Sequence, residues 1–223
     1  MNEKLSTGSK NIDRLIEGGI SLGELFLIYG GRGSGRTTLA FQIMINNTLK
    51  GRKSLLIFTG ENASLMRLKI MARDKWSEIS EKILVINIKS FKEQDDLIDN
   101  LELFVFEDLN LIVFDSITSF YRLELKGREN ENIMLNKQLN RELALLKYNS
   151  MKKGLYTILT SDITIRPGEK FPIPVASQIL TYWCDKIIRI DRLQENIRKV
   201  VLIKPQMDIS CLVRISENGI DDI

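Results

Sequence analysis

Short apolar runs bounded by polar or turn-forming residues recur along the chain as far as Pro174. They predict buried strands at Glu24–Tyr29, Ser54–Phe58, Ile83–Ile88, Leu109–Asp115 and Leu155–Thr160. Segments of helical periodicity fill the intervals, and alternation of this kind predicts an α/β fold with a mostly parallel sheet flanked by helices. Leu135, Leu139, Leu143 and Leu146 fall on one helical face, with Lys137, Arg141 and Lys147 elsewhere around it, so the leucines cover the sheet. Beyond Pro174 the pattern changes to strands with no helix between them, Asp185–Asp191, Lys199–Lys204 and Cys211–Ile215, closed by the turn Ser216-Glu217-Asn218-Gly219. These predict antiparallel C-terminal strands at the sheet edge. Tyr182 and Trp183 lie in an apolar segment and read as core. No repeat, low-complexity tract or linker divides the chain, which predicts a single domain over residues 1–223.

Composition narrows the function classes. With 43% apolar and 27% charged residues over 223 positions, the chain can build a sizeable core and is neither disordered nor fibrous. A net charge of +3 is compatible with an anionic partner but does not identify nucleic acid. Histidine is absent, which rules out a catalytic histidine and a histidine-ligated metal; Cys184 and Cys211 have neither metal-site nor redox-pair spacing. No signal region follows Met1 and no stretch has the apolar length of a membrane span, so a soluble, cytoplasmic protein is expected.

The strongest chemical signal is Gly30-Gly31-Arg32-Gly33-Ser34-Gly35-Arg36-Thr37-Thr38, the pattern GxxxxGK[ST] with arginine in place of lysine. It lies between an apolar strand and the helix opening Leu39-Ala40-Phe41, the context a phosphate-binding loop requires. Glycines let several N–H groups aim inward, and the helix adds the positive end of its dipole, so a polyphosphate can be solvated by protein. ATP or ADP binding is the expectation; a degenerate glycine-rich turn is the alternative. Lysine is a compact charge on a flexible stem, whereas Arg36 is a longer planar fork, so binding should survive the exchange better than γ-phosphoryl transfer. Arg32 brings a second cation into the loop or points to solvent.

Asn110-Leu111-Ile112-Val113-Phe114-Asp115-Ser116 is an apolar strand ending in a carboxylate, the position from which Asp115 meets a metal beside the phosphate loop. Thr37, Asp115 and phosphate oxygens then complete a magnesium shell. The other use of such an aspartate is to cap the following helix. Glu61, just past the strand Leu55-Leu56-Ile57-Phe58, is the candidate to orient an attacking water, or else a solvated loop acid.

These residues resemble the RecA/RadA recombinase superfamily and, among its branches, the archaeal RadB-like paralogues of RadA. The likeness spans nearly the whole chain: Ser6-Thr7-Gly8, Gly18-Gly19-Ile20 and Gly23 at the start, Asp115-Ser116 with Tyr121-Arg122-Leu123-Glu124, Leu180-Thr181-Tyr182-Trp183, Ile187-Ile188, and Val200-Val201-Leu202-Ile203-Lys204. The resemblance implies a RecA-type P-loop NTPase core without the helical N-terminal domain or polymerisation segment of the family, hence a monomer or small oligomer. It implies two DNA-facing loops, one at Leu125–Asn132 with Lys126 and Arg128 and the preceding Arg122, the other at Ile163–Ser177 with Arg166 and Lys170. Single-stranded DNA, the main RadA-type recombinase and other repair proteins are the partners it implies, with Phe171 available for base stacking. Glu129, Glu131 and Glu169 give both loops a mixed-charge character as well.

Three departures from the family pattern stand out. The loop lysine is Arg36; the strand-end Asp-Thr-Glu-Gly is Phe58-Thr59-Gly60-Glu61; and Thr-Asn-Gln is Thr160-Ser161-Asp162. They favour a nucleotide-binding recombination paralogue with weak or no hydrolysis, an adaptor more than a motor. An active DNA-stimulated ATPase, in which Arg36 does the work of the lysine, and a KaiC-like regulatory ATPase unrelated to DNA are the alternatives.

Overall fold

The computed structural model describes residues 3–59, 63–106, 108–127, 129–165, 168, 170–205 and 209–223, with the side chains of Ala63, Ser64 and Glu129 left aside. Helix α1 (Lys10–Leu15) precedes strand β1 (Leu25–Gly30), the phosphate loop and α2 (Arg36–Leu49). Strand β2 (Lys53–Phe58), helices α3 (Ala63–Ala72) and α4 (Trp76–Ile79), β3 (Ile83–Asn87), α5 (Phe91–Asp99) and β4 (Leu109–Asp115) follow. Next come α6 (Ser119–Glu124), α7 (Ile133–Lys153), β5 (Tyr156–Ser161) and the small strands β6 (Ile163–Thr164) and β7 (Ile173–Pro174). Helix α8 (Ser177–Trp183) leads into β8 (Lys186–Arg192), β9 (Ile197–Lys204), β10 (Ser210–Ser216) and β11 (Gly219–Asp222).

Nine strands form one sheet in the order β11-β10-β9-β8-β1-β5-β4-β2-β3, parallel from β8 to β3 and antiparallel from β8 outward to β11. Strands β6 and β7 pair separately as an antiparallel hairpin beyond β5. The predicted mostly parallel sheet with antiparallel C-terminal strands is thus what the chain forms. The five predicted parallel strands lie within a residue of those observed because a parallel strand covered on both faces reads as an uninterrupted apolar run.

Along β1, Phe26 and Ile28 face one core, shared with Leu39, Phe41 and Ile43 of α2, while Leu25, Leu27 and Tyr29 face the other. Leu139, Leu143 and Leu146 of α7 are fully buried in that second core, and Leu135 packs at its margin. Each such leucine contributes roughly 1.5–3 kcal/mol relative to exposure. α7 ends at Gly154, whose φ of 63° provides the left-handed cap that stops the helix, with Lys152 and Lys153 in its last turn.

Two expectations need correction. A seven-residue helix, α8, precedes the C-terminal strands, and on it Tyr182 is 74% exposed rather than core. Helical spacing explains this: Leu180 is the buried contact, and a residue two positions on points away from it. Trp183 is half-buried and donates from Nε1 to Asn140 Oδ1 at 2.9 Å. The turn at Ser216–Gly219 does not close the sheet but reverses into β11.

β11 binds the start of the chain. Asp222 accepts from Ser9 Oγ and from the Lys10 and Asn11 amides at 2.8 and 3.1 Å. Gln42 of α2 donates to Thr7 O and Ile220 O at 3.1 and 3.2 Å and accepts from Ile220 N at 2.7 Å. Among the described residues no helix is long and apolar enough to cross a membrane.

Candidate nucleotide site and DNA face

The site is built where β1 gives way to α2, at the carboxyl end of the parallel strands, the place where α/β sheets hold ligands. The loop closes on itself through Ser34 N to Gly31 O at 3.1 Å, and α2 starts with Leu39 N donating to Gly35 O at 2.9 Å. Gly35 sits at the N-cap with φ 106°, a left-handed conformation that a side chain would strain. At Gly30 a β-carbon would lie 2.5 Å from Ile190 O and 2.6 Å from Ser34 Oγ, so only glycine fits. No acidic residue occupies the first turn of α2, which leaves its positive end available to an anion.

Arg198, on β9 and 4% exposed, braces this loop from behind. Its Nε donates to Ser34 O at 3.0 Å and Nη2 to Gly33 O at 3.2 Å, while Nη1 holds the carbonyls of Gln194, Glu195 and Ile197. With those loop carbonyls fixed on the guanidinium, the backbone is locked in one arrangement. The sequence carries no local sign of this role, since Arg198 meets the loop only once the β8–β9 hairpin is laid beside β1.

Thr37 Oγ1 donates to Asp115 Oδ2 at 2.9 Å, and Thr160 Oγ1 donates to Oδ1 at 2.5 Å. Burial raises the Asp115 pKa above its ordinary value; hydrogen bonds from Thr160 and Thr37 and the charge of Arg36 oppose the rise, and Asp162 adds to it. Thr160 reaches this carboxylate from β5, the strand paired with β4, so its role is visible in the sequence only through its place near the end of that strand. Among the described residues no group of three or more acidic or cysteine side chains could hold a metal by itself, so a cation at Thr37 and Asp115 depends on oxygens brought by a ligand.

Arg36 Nη2 pairs with Asp162 Oδ1 at 2.6 Å, while Nη1 is buried with no hydrogen-bond partner. Ser34 Oγ is likewise buried and unpartnered. An orphaned guanidinium nitrogen on the first residue of α2 is what a site made for an anion leaves. The residues present therefore fit a nucleotide polyphosphate with magnesium. Gly31, Gly33, Thr37 and Thr38 complete the loop, and Arg32 is exposed. Glu61 lies outside the described residues.

The cationic residues expected to meet DNA divide. Arg122 on α6 and Lys126 beyond it are exposed, and Lys126 is held by Asn132, which accepts from its amide and donates to its carbonyl at 2.9 Å. Lys170 is exposed, next to Phe171, whose ring also lies 4.8 Å from the Arg189 guanidinium carbon. Arg128 and Arg166 lie outside the described residues. α6 follows β4 and the β6–β7 hairpin follows β5; these are neighbouring strands, and a cleft of about 700 Å³ lined by Arg122, Leu125, Asn130, Asn132, Thr164 and Gln178 lies between the two segments.

The Rad51 family profile matches residues 3–223. The chain belongs to the Rad51 family. It is 34% identical over 226 aligned residues to "DNA repair and recombination protein RadB" of Thermococcus sibiricus, covering 98% of this chain and 95% of that protein. The protein of the same description from Thermococcus kodakarensis is 33% identical, with 98% and 99% covered. Among solved structures, "Crystal structure of the RadB recombinase" superposes with a TM-score of 0.82 at 31% identity, covering 98% of this chain and 99% of that one. The likeness to the RecA/RadA superfamily and its RadB-like branch, and the RecA-type α/β core, are as expected from the sequence.

Proposed function

We propose that this Rad51-family protein binds ATP or ADP with magnesium, hydrolyses it weakly or not at all, and serves as an adaptor between DNA and the main recombinase in repair by recombination. The observation that carries the reading is the braced phosphate loop with the orphaned Arg36 Nη1. Main-chain N–H groups of the glycine-rich loop and of the first turn of α2 would cradle the phosphates, and Thr37 and Asp115 would hold the cation. When bound, magnesium neutralises charge across the phosphates. Arg36, planar and already paired with Asp162, is poorly suited to follow charge as a phosphoryl group transfers, which supports binding over turnover. The RadB relatives support the repair context, and Arg122, Lys126 and Lys170 supply phosphate contacts on the face shared by both loops.

Calorimetric titration with Mg·ATP and Mg·ADP, followed by phosphate release with and without single-stranded DNA, tests this. Binding with negligible release is the expected result, together with DNA affinity that falls with salt. Release that rises with single-stranded DNA and vanishes in Asp115→Ala would establish the active ATPase instead. In the adaptor, bound nucleotide tunes DNA affinity, and a DNA affinity unchanged by nucleotide would overturn that part of the reading.

A further inference from the structure

We infer that Asp162 acts as a built-in substitute for phosphate, which makes the nucleotide site select metal-bound over metal-free nucleotide; this rests on the nucleotide-binding reading above. The guanidinium of Arg36 is half satisfied: one nitrogen pairs with Asp162 at 2.6 Å and the other is buried without a partner. Its side chain is 15% exposed, so water compensates little. A bidentate phosphate contact would satisfy both nitrogens, but only if the carboxylate yields its place.

What Asp162 loses in that exchange gives the selectivity. Among the described residues Arg36 is the only side chain that pairs with its carboxylate, since its carbonyl is separately held by Val175 N at 2.9 Å and Ser161 Oγ at 3.0 Å. The main chain at 162 is therefore anchored, and displacement leaves an unpaired carboxylate at the site. Asp115 is bonded to Thr37, the neighbour of Arg36, and to Thr160, two residues before Asp162, so both acids stand at the same loop with Arg36 as the cation paired there. Once phosphate takes Arg36, two carboxylates and a polyphosphate share one pocket. A divalent cation relieves that crowding; nucleotide arriving without one meets it in full.

The test is titration of ATP into the wild-type chain and Asp162→Asn, in magnesium and in chelator. The asparagine is isosteric but carries no charge, so metal-free ATP should bind about tenfold more tightly to the variant, the scale of one charge-assisted contact released. The gain in magnesium should be smaller. Asp162→Ser, which also lacks the charge, should repeat the pattern and guards against misfolding of one variant. Equal affinities in wild type and variant, or an equal gain with and without metal, would overturn the inference while leaving nucleotide binding in place. No binding by either protein under any condition would overturn the nucleotide reading and the inference with it.

Discussion

Glu142 is fully buried on α7, and its Oε2 accepts from Gln94 Nε2 at 2.6 Å while Oε1 and Gln94 Oε1 have no partner. Burial, helped by the charge of Asp95, pushes its pKa up from 4.5 to about 8, against the Gln94 hydrogen bond and the Arg141 charge. Below the unfolded value both states are protonated and the residue costs nothing. Between there and pH 8 the unfolded chain ionises while the folded one stays neutral, so stability falls as pH rises, by about 1.4 kcal/mol per unit. Glu142→Gln keeps the shape, removes the ionisation and offers a donor to Gln94 Oε1. Denaturant unfolding should show the variant more stable than wild type by a few kcal/mol at pH 8–9 and equal to it near pH 4; a constant difference across that range would refute the ionisation account. At this same scale the sequence was legible wherever chemistry is local. The phosphate loop, Thr37 and Asp115 carry their roles in their neighbours; the partners Thr160, Asp162 and Arg198 acquire theirs only when distant strands meet.

At the level of elements, the phosphate loop is held by a strand far from it in the chain. Removing the Arg198 guanidinium takes a donor from the carbonyls of residues 33, 34, 194 and 195, of which only Ser34 is buried, while Ile197 O keeps the Leu193 and Gln194 amides. Arg198→Met should lower stability by roughly 2–3 kcal/mol and weaken ATP binding at least about tenfold, read by thermal melting and titration. A variant that melts earlier yet binds ATP as before would confine Arg198 to scaffolding. Strands β1 to β5 could be read from the sequence because each is built around a short apolar run. α8 could not, since seven residues give too few turns for a periodicity, and an exposed Tyr182 beside a buried Leu180 mimics a uniformly apolar segment.

Across the whole molecule, the two ends of the chain hold one another. Partial burial would raise the Asp222 pKa, but hydrogen bonds from Ser9, Asn11 and Lys10 outweigh it and hold the carboxyl below the ordinary value. Its stabilisation is therefore present above the unfolded pKa and is lost as pH falls through the folded one. Asp222→Asn should cost about 1 kcal/mol at neutral pH, discounted for its exposed position, and nothing at pH 2. Unfolding curves at the two pH values check this; an equal loss at both would mean that charge is not what ties the ends.

The Gln42 bridge has a mechanical consequence. Because β11 is a short antiparallel edge strand, tension applied through Ile223 would peel it one rung at a time instead of shearing all its bonds together. The same small step that frees Ile220 from Gln42 unclamps the helix behind the phosphate loop. In an optical-tweezers trace, the first low-force extension should therefore coincide with loss of a bound fluorescent nucleotide, well before the parallel strands give way.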